Sequence, residues 1–360
     1  MPTVRLPIFD GHNDTLTQIR NAPAVEARSF LERSDRGHMD LPRAREGGLA
    51  GGIFAVFTRN PGLEPKVRPM VGPDGVEVPG GHVVDLPPRL SRRTALAYTL
   101  SVVSDLYRME AASGGAVKVV RTCGQLERYL ADGTFAAVLH LEGVEALDTR
   151  LEALDVLHQA GLRSLGPVWS RPNAFGHGVP FDFPGTPDRG PGLTTAGERL
   201  VRACNELGVL VDVSHLNEAG FWDVARLSDA PLVATHSCAW ALCHSPRNLT
   251  DAQLDAIGKS GGVVGIAFHV GFLRMDGNPD APTSLEEIVR HARYVADRVG
   301  VGHVALGSDF DGAHMPDDLP DAAALPALVE ALRRGGFGED DLRGVCAGNW
   351  LRVLRATWGA

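Results

Sequence analysis

Short, almost wholly apolar segments rich in β-branched residues recur at Leu6–Phe9, Gly52–Phe57, Phe135–Leu139, Arg163–Val168, Val209–Val213, Leu232–Ala234, Val263–Phe268 and Val304–Leu306. Between most of them apolar positions return every three or four residues, as in Arg92–Ala112, Thr122–Ala131, Leu151–Ala160, Thr195–Leu207, Glu218–Leu227, Asp251–Ile257 and Ser284–Val299. Two further stretches of that kind, Ala322–Arg334 and Glu339–Arg355, follow the last apolar segment. The first pattern predicts buried strands and the second amphipathic helices. Thr122, Thr195 and Ser284 are predicted helix caps, Ser284 with Glu287 three residues on. Strands apolar on both faces that alternate with helices predict a parallel sheet covered by helices. Eight such units in 360 residues predict an α/β fold, a (β/α)8 TIM barrel forming one domain over residues 1–360. A doubly wound open sheet is the competing layout, and the strand count favours the barrel. Residues 60–89, rich in Pro and Gly with a turn signal at Gly72–Gly75, are predicted to be an active-site loop or hairpin after the second strand. Ser170–Gly192 is a similar insertion after the fourth.

Composition narrows the function more than the fold. At 44% hydrophobic and 22% charged the chain is neither disordered nor a disulfide-dependent scaffold. A net charge of −9 with scattered basic residues disfavours nucleic acid as a partner. The 5 cysteines are odd in number and contain no CxxC, which suits free thiols in a reducing compartment. No apolar run approaches the roughly 20 residues that span a bilayer. Met1–Asp10 also lacks the basic and apolar regions of a secretory signal. A cytoplasmic protein without membrane attachment is expected, acting on a small molecule; a homodimer is compatible with this reading.

The chemistry lies just past the strand ends. The first segment runs into Asp10-Gly11-His12-Asn13-Asp14, the third into His140-Leu141-Glu142, the fifth into Ser214-His215, the sixth into Thr235-His236 and the eighth into Ser308-Asp309-Phe310-Asp311. A single His there is more often a satisfied loop or core residue, and a single Asp is commonly the cap of the next helix. Five such ends on one rim, however, point to a metal site, since imidazole and carboxylate are the ligand types zinc accepts. His12 and Asp14 share one strand face and so converge.

His12, Asp14, Glu142, His215 and His236 are too many ligands for one tetrahedral zinc that keeps a water. Two ions use them naturally: His12 and Asp14 on one, His215 and His236 on the other, Glu142 between. Two metals about 3.5–4 Å apart can hold and acidify a bridging hydroxide. Lysine occurs only at positions 66, 118 and 259, none at a strand's C-terminal end, so a glutamate bridge is preferred over a carboxylated lysine. Asp309, beside the first strand, is placed to act as the general base.

At these residues the sequence resembles the membrane (renal) dipeptidase family of zinc metallopeptidases, whose barrels are amidohydrolase-like. The matching segments are Phe9–Asp14, Leu141-Glu142-Gly143, Asp212–His215, His236-Ser237, Arg247-Asn248 and Gly307–Gly312, in an order and spacing that cover nearly the whole chain. The resemblance implies two zinc ions with Glu142 bridging, Asp309 as the acid/base residue, and a dipeptidase that accepts a D-residue at the C-terminal position. It also implies that Arg247 binds the free carboxylate of the dipeptide, a task suited to a bidentate guanidinium. There is one departure. Where the family carries a His after the fourth strand that steadies the oxyanion, this chain has Trp169. Either the indole N–H donates there, or His177 reaches in from the loop, or metal alone holds the oxyanion. The substitution keeps open a binuclear hydrolase of another amide or ester, such as an N-acyl amino acid or a lactone. A barrel that has lost catalysis is a weaker alternative, because all five ligands and Asp309 are present. His269, after the seventh strand, faces the rim by parity and reads first as a core-edge residue.

Overall fold

The computed structural model describes residues 6–60 and 66–359. Part of the predicted 60–89 insertion (61–65) and part of the N-terminal segment read for a signal (1–5) lie outside the described residues. Eight parallel strands follow the eight apolar segments: β1 Ile8–Asn13, β2 Leu49–Phe57, β3 Phe135–Glu142, β4 Leu162–Gly166, β5 Leu210–Val211, β6 Val233–Ser237, β7 Val263–Ile266 and β8 Val304–Leu306. β1 to β5 pair in sequence as one parallel arc, and β6, β7 and β8 form a second. Two single bridges join the arcs, Asp212 to Val233 and Asn13 to Phe310. Backbone hydrogen bonds at these seams, Val213 N–H to Val233 O (2.9 Å), Asp14 N–H to Phe310 O (2.8 Å) and Asp309 N–H to His12 O (2.9 Å), bring the sheet round on itself as in amidohydrolase-like barrels.

Several boundaries move from their predicted places for local reasons. β1, β3 and β6 run further, so that His12, Glu142 and His236 lie inside strands and not beyond them. β5 is only two residues long because the Asp212 carboxylate takes the N–H groups of Ser214 and Thr235, drawing the backbone off the ladder. A short strand, Val117–Val119, pairs with the start of β3 and was not expected. Thr194, not Thr195, caps the helix Thr195–Leu207, its hydroxyl accepting from Gly197 N. Ser284 stands one residue before the N-cap position: the helix starts at Glu286, whose N–H the Ser284 hydroxyl accepts at 3.3 Å, and Glu287 turns its carboxylate to Arg290. The predicted helix 339–355 is broken by a π-turn at Gly344–Gly348.

The segment between β2 and the helix Arg92–Ala112 contains an antiparallel hairpin, Lys66–Val71 with Glu77–Asp85, turning at Gly75 with φ of +79°. His82 and Phe183 exchange backbone hydrogen bonds of 2.7 and 2.8 Å, and Val84 N donates to the Asp182 side chain. The chain after β2 and the chain after β4 therefore hold each other over one end of the barrel. All 5 cysteines are buried and free. Among the described residues no helix is long and apolar enough to cross a membrane.

Below the strands, Trp350 fills the barrel floor. It is fully buried, donates its indole N–H to Leu306 O at 3.0 Å and packs edge-on to Phe9. Gly11 must be glycine here, since a Cβ would stand 2.3 Å from the indole ring. Trp350→Ala is expected to cost about 3–5 kcal/mol, the usual range for emptying a buried aromatic site. Urea unfolding monitored by circular dichroism measures this, and a loss below about 1 kcal/mol would contradict the packing argument.

Candidate metal centre

The strand ends bring His12, Asp14, Glu142, His215, His236 and Asp309 together at the C-terminal mouth of the barrel, all buried. β1 supplies His12, and Asp14 follows at the start of the helix Thr15–Asn21. Glu142 is the last residue of β3. Its Oε1 lies 2.8 Å from His215 Nε2 and 3.7 Å from the Nε2 atoms of both His12 and His236. The His215 and His236 Nε2 atoms stand 3.1 Å apart. One ligand atom from each of His12, Glu142 and His236 fits within 4.8 Å, as does one from each of His12, Asp14 and Asp309. Both clusters share His12.

Asp309 and Asp311 follow β8 with φ of +60° and +69°, a left-handed region that Asp tolerates better than most residues. Asp311 is an anchor: it accepts from Thr15, Arg28 and the His38 backbone, which frees Asp309 to face the cluster. Gly312 closes the turn at a point where a Cβ would sit 2.2 Å from Asp14 Oδ2 and 2.5 Å from Asp309 Oδ1. Only glycine lets these two carboxylates approach.

Electrostatics point to a missing positive charge. Burial, then the charges of Asp14 and Asp309, hold Glu142 well above the ordinary carboxylate range. Burial and then Asp14 do the same to Asp309, and burial pushes Asp14 up to about 7 despite Arg59. Burial, reinforced by Arg247, holds the three histidines well below their usual value and so favours their neutral, metal-binding form; the His215 Nε2 lone pair accepts from Arg247 Nη2 at 3.3 Å. His12 Nδ1 and Nε2, Asp14 Oδ1 and Glu142 Oε2 are buried without hydrogen-bond partners. Crowded carboxylates, neutral imidazoles and unpartnered donor atoms are what divalent cations would satisfy, so the residues present fit metal.

A cavity of about 350 Å³ opens above the cluster. Arg247 lines one wall with Phe272 and His269; Phe57, Trp169 and Arg171 line another. Arg247 is fully buried, donates to the carbonyls of Ser214 and His236, and keeps its Nε without a partner. Burial draws its pKa down to about 10, still charged at neutral pH. Trp169 lies between Phe57 and Phe181, with ring centroids 4.7 and 5.3 Å away and the planes tilted. His177 does not line the cavity: its ring faces Gly192 O at 3.5 Å. His269, read as a core-edge residue, does line it, with Nδ1 accepting from His314 N. Among the described residues no lysine lines the cavity.

Arg171 carries more than the sequence suggested. It pairs with the buried Glu145 at 2.8 Å, donates to Thr58 O and Asn60 Oδ1, and lies over the Phe57 and Trp169 rings. It thus ties the segment after β2 to the one after β4. An isolated Arg in a Pro/Gly-rich stretch gives no sequence signal of such a role.

Fold and donor set together define an amidohydrolase-like barrel built as a metal-dependent hydrolase. The family model for membrane dipeptidase (peptidase family M19) matches residues 3–358, and the chain belongs to that family. A solved metallopeptidase, dipeptidase AC, is 47% identical with a TM-score of 0.91, each chain covered to 99%. A metallopeptidase from Rhodobacter sphaeroides, solved with a phosphinate mimic of the dipeptide L-Ala-D-Ala, is 46% identical with a TM-score of 0.90 over 98% of this chain and 99% of that one. The dipeptidase aclJ of Aspergillus oryzae is 30% identical over 358 residues, 97% of this chain and 78% of its own.

Proposed function

We propose that this chain is a zinc-dependent dipeptidase, a single barrel domain holding two zinc ions, and that it tolerates a D-residue at the C-terminal position. The observation that carries the reading is the contact of one Glu142 oxygen with three imidazole Nε2 atoms beside two further carboxylates. His12 and Asp14 would hold one ion, His215 and His236 the other, with Glu142 shared. Bound there, zinc would supply Lewis acidity, lowering the pKa of a water and polarising the scissile carbonyl. The rest is work for the chain's own side chains. Asp309, which faces the cluster beside Asp14, accepts the proton of the attacking water and passes it to the leaving amine. Arg247, on the β5–β7 side of the mouth, receives the C-terminal carboxylate through the donors its carbonyl contacts leave free, Nε among them. The aromatic wall of Phe57, Trp169 and Phe181 excludes water, and the paired segments after β2 and β4 limit substrate length. The phosphinate mimic bound by the Rhodobacter sphaeroides relative, which carries a D-residue C-terminally, supports the stereochemical part.

The deciding test is metal analysis joined to a substrate panel on the same sample: L,L- and L,D-dipeptides beside N-acyl amino acids and lactones. Less than one metal per chain after gentle purification, with no gain on adding zinc or cobalt, would sink the reading. Preference for acylated amino acids or lactones would instead favour the other hydrolase class that Trp169 left open. Arg247→Met is expected to cost about 2–5 kcal/mol in kcat/KM on dipeptides, as for truncating a buried charged partner. The same variant should lose the wild type's discrimination against dipeptide amides. Unchanged discrimination would remove Arg247 from the carboxylate site.

A further inference from the structure

Beneath the metal cluster lies a chain of hydrogen bonds whose polarity can be read from its chemistry. The Asp212 carboxylate just after β5 accepts at Oδ1 from Ser214 N (3.0 Å), Ser214 Oγ (2.6 Å) and Thr235 N (2.9 Å). Its Oδ2 accepts from the Thr235 hydroxyl at 2.6 Å. The other group facing Oδ2, His140 Nε2, is 3.9 Å away and beyond hydrogen-bond reach. The carboxylate oxygen accepts, so Thr235 is the donor. Having spent its single proton, that hydroxyl meets His236 Nδ1 at 2.8 Å only as an acceptor. His236 must then carry its proton on Nδ1, which leaves the Nε2 lone pair facing Glu142.

We propose that Asp212 is a positioning residue that, through Thr235, fixes the tautomer of His236 in which Nε2 can bind metal. The inference rests on the reading of His236 as a ligand. At its Nδ1, His215 meets a hydroxyl, Ser170 Oγ at 3.0 Å, with no carboxylate behind it among the described residues, and His12 Nδ1 has no partner there, so the relay is particular to His236. Its polarity can be reversed by one atom. In Asp212→Asn the three donors at Oδ1 hold the amide oxygen there and place the NH₂ against Thr235. The hydroxyl then turns to donate to Nδ1, and the proton of His236 moves to Nε2, where it blocks coordination.

Zinc release from the loaded protein to a chelator, and zinc affinity of the stripped protein, are measured for wild type, Asp212→Asn, Thr235→Val and Thr235→Ser. Asp212→Asn and Thr235→Val are expected to weaken one of the two ions by about 10–100-fold, and Thr235→Ser to match the wild type. Nitrogen-15 histidine spectra of the metal-free proteins should show His236 protonated at Nδ1 in wild type and Thr235→Ser, and at Nε2 in Asp212→Asn. If Asp212→Asn fails to fold, the Thr235→Val and Thr235→Ser pair still decides. Wild-type affinity in Thr235→Val, or an unchanged His236 tautomer in Asp212→Asn, overturns the relay. Wild-type protein that binds no zinc overturns the dipeptidase reading instead.

Discussion

Glu142→Ala is expected to abolish turnover and leave the protein unable to hold either ion, because among the described residues no other side chain lies against the Nε2 atoms of His12, His215 and His236 together. Elemental analysis of the purified variant beside dipeptide hydrolysis measures both effects, and near-normal activity would end the bridging assignment. Stability should move the other way. Burial and two neighbouring carboxylates raise the folded-state pKa of Glu142. A carboxyl raised in this way favours folding while protonated, and that advantage is lost as pH rises through the folded value. Near neutral pH in the absence of metal it therefore works against the fold. The isosteric Glu142→Gln should raise the thermal midpoint of metal-free protein at neutral pH, and a lowered midpoint would contradict the crowding argument.

Asp309→Asn separates proton transfer from metal binding. Asn tolerates the left-handed backbone at φ +60° and can keep the N–H bond to His12 O, so the variant should fold and keep its metals. With no carboxylate to take up and return a proton, kcat is expected to fall about 10²–10⁴-fold with little change in KM. Steady-state kinetics on the metal-replete variant test this. A kcat within threefold of wild type would remove Asp309 from the acid/base role, and loss of metal would recast it as a ligand.

Much of this architecture was legible in the sequence because two periods are hard to confuse. The eight apolar segments became the eight barrel strands, and the polar residues ending five of them meet in one cluster. Strand ends were less legible, since the competing hydrogen bonds came from side chains such as Asp212, whose partners lie on another strand. The same blindness hid Arg171, Ser170 and Thr235, whose roles depend on what stands across the barrel. A Ser or Thr beside a His is too common a pair to signal anything alone. His177 shows the opposite failure: a plausible residue type in a loop whose path the sequence does not determine.

The two seams of the barrel carry a consequence for how the protein matures. His12, Asp14, Glu142 and His215 stand on the arc from β1 to β5, while His236, Arg247 and Asp309 stand on or beside the other arc. Neither arc alone holds the whole donor cluster together with Asp309. A chain that has formed its strands but not yet met itself at Asn13–Phe310 and Asp212–Val233 would lack a complete site. On the proposed reading the site is therefore assembled across both seams, and closure of the ring and completion of the site are one event.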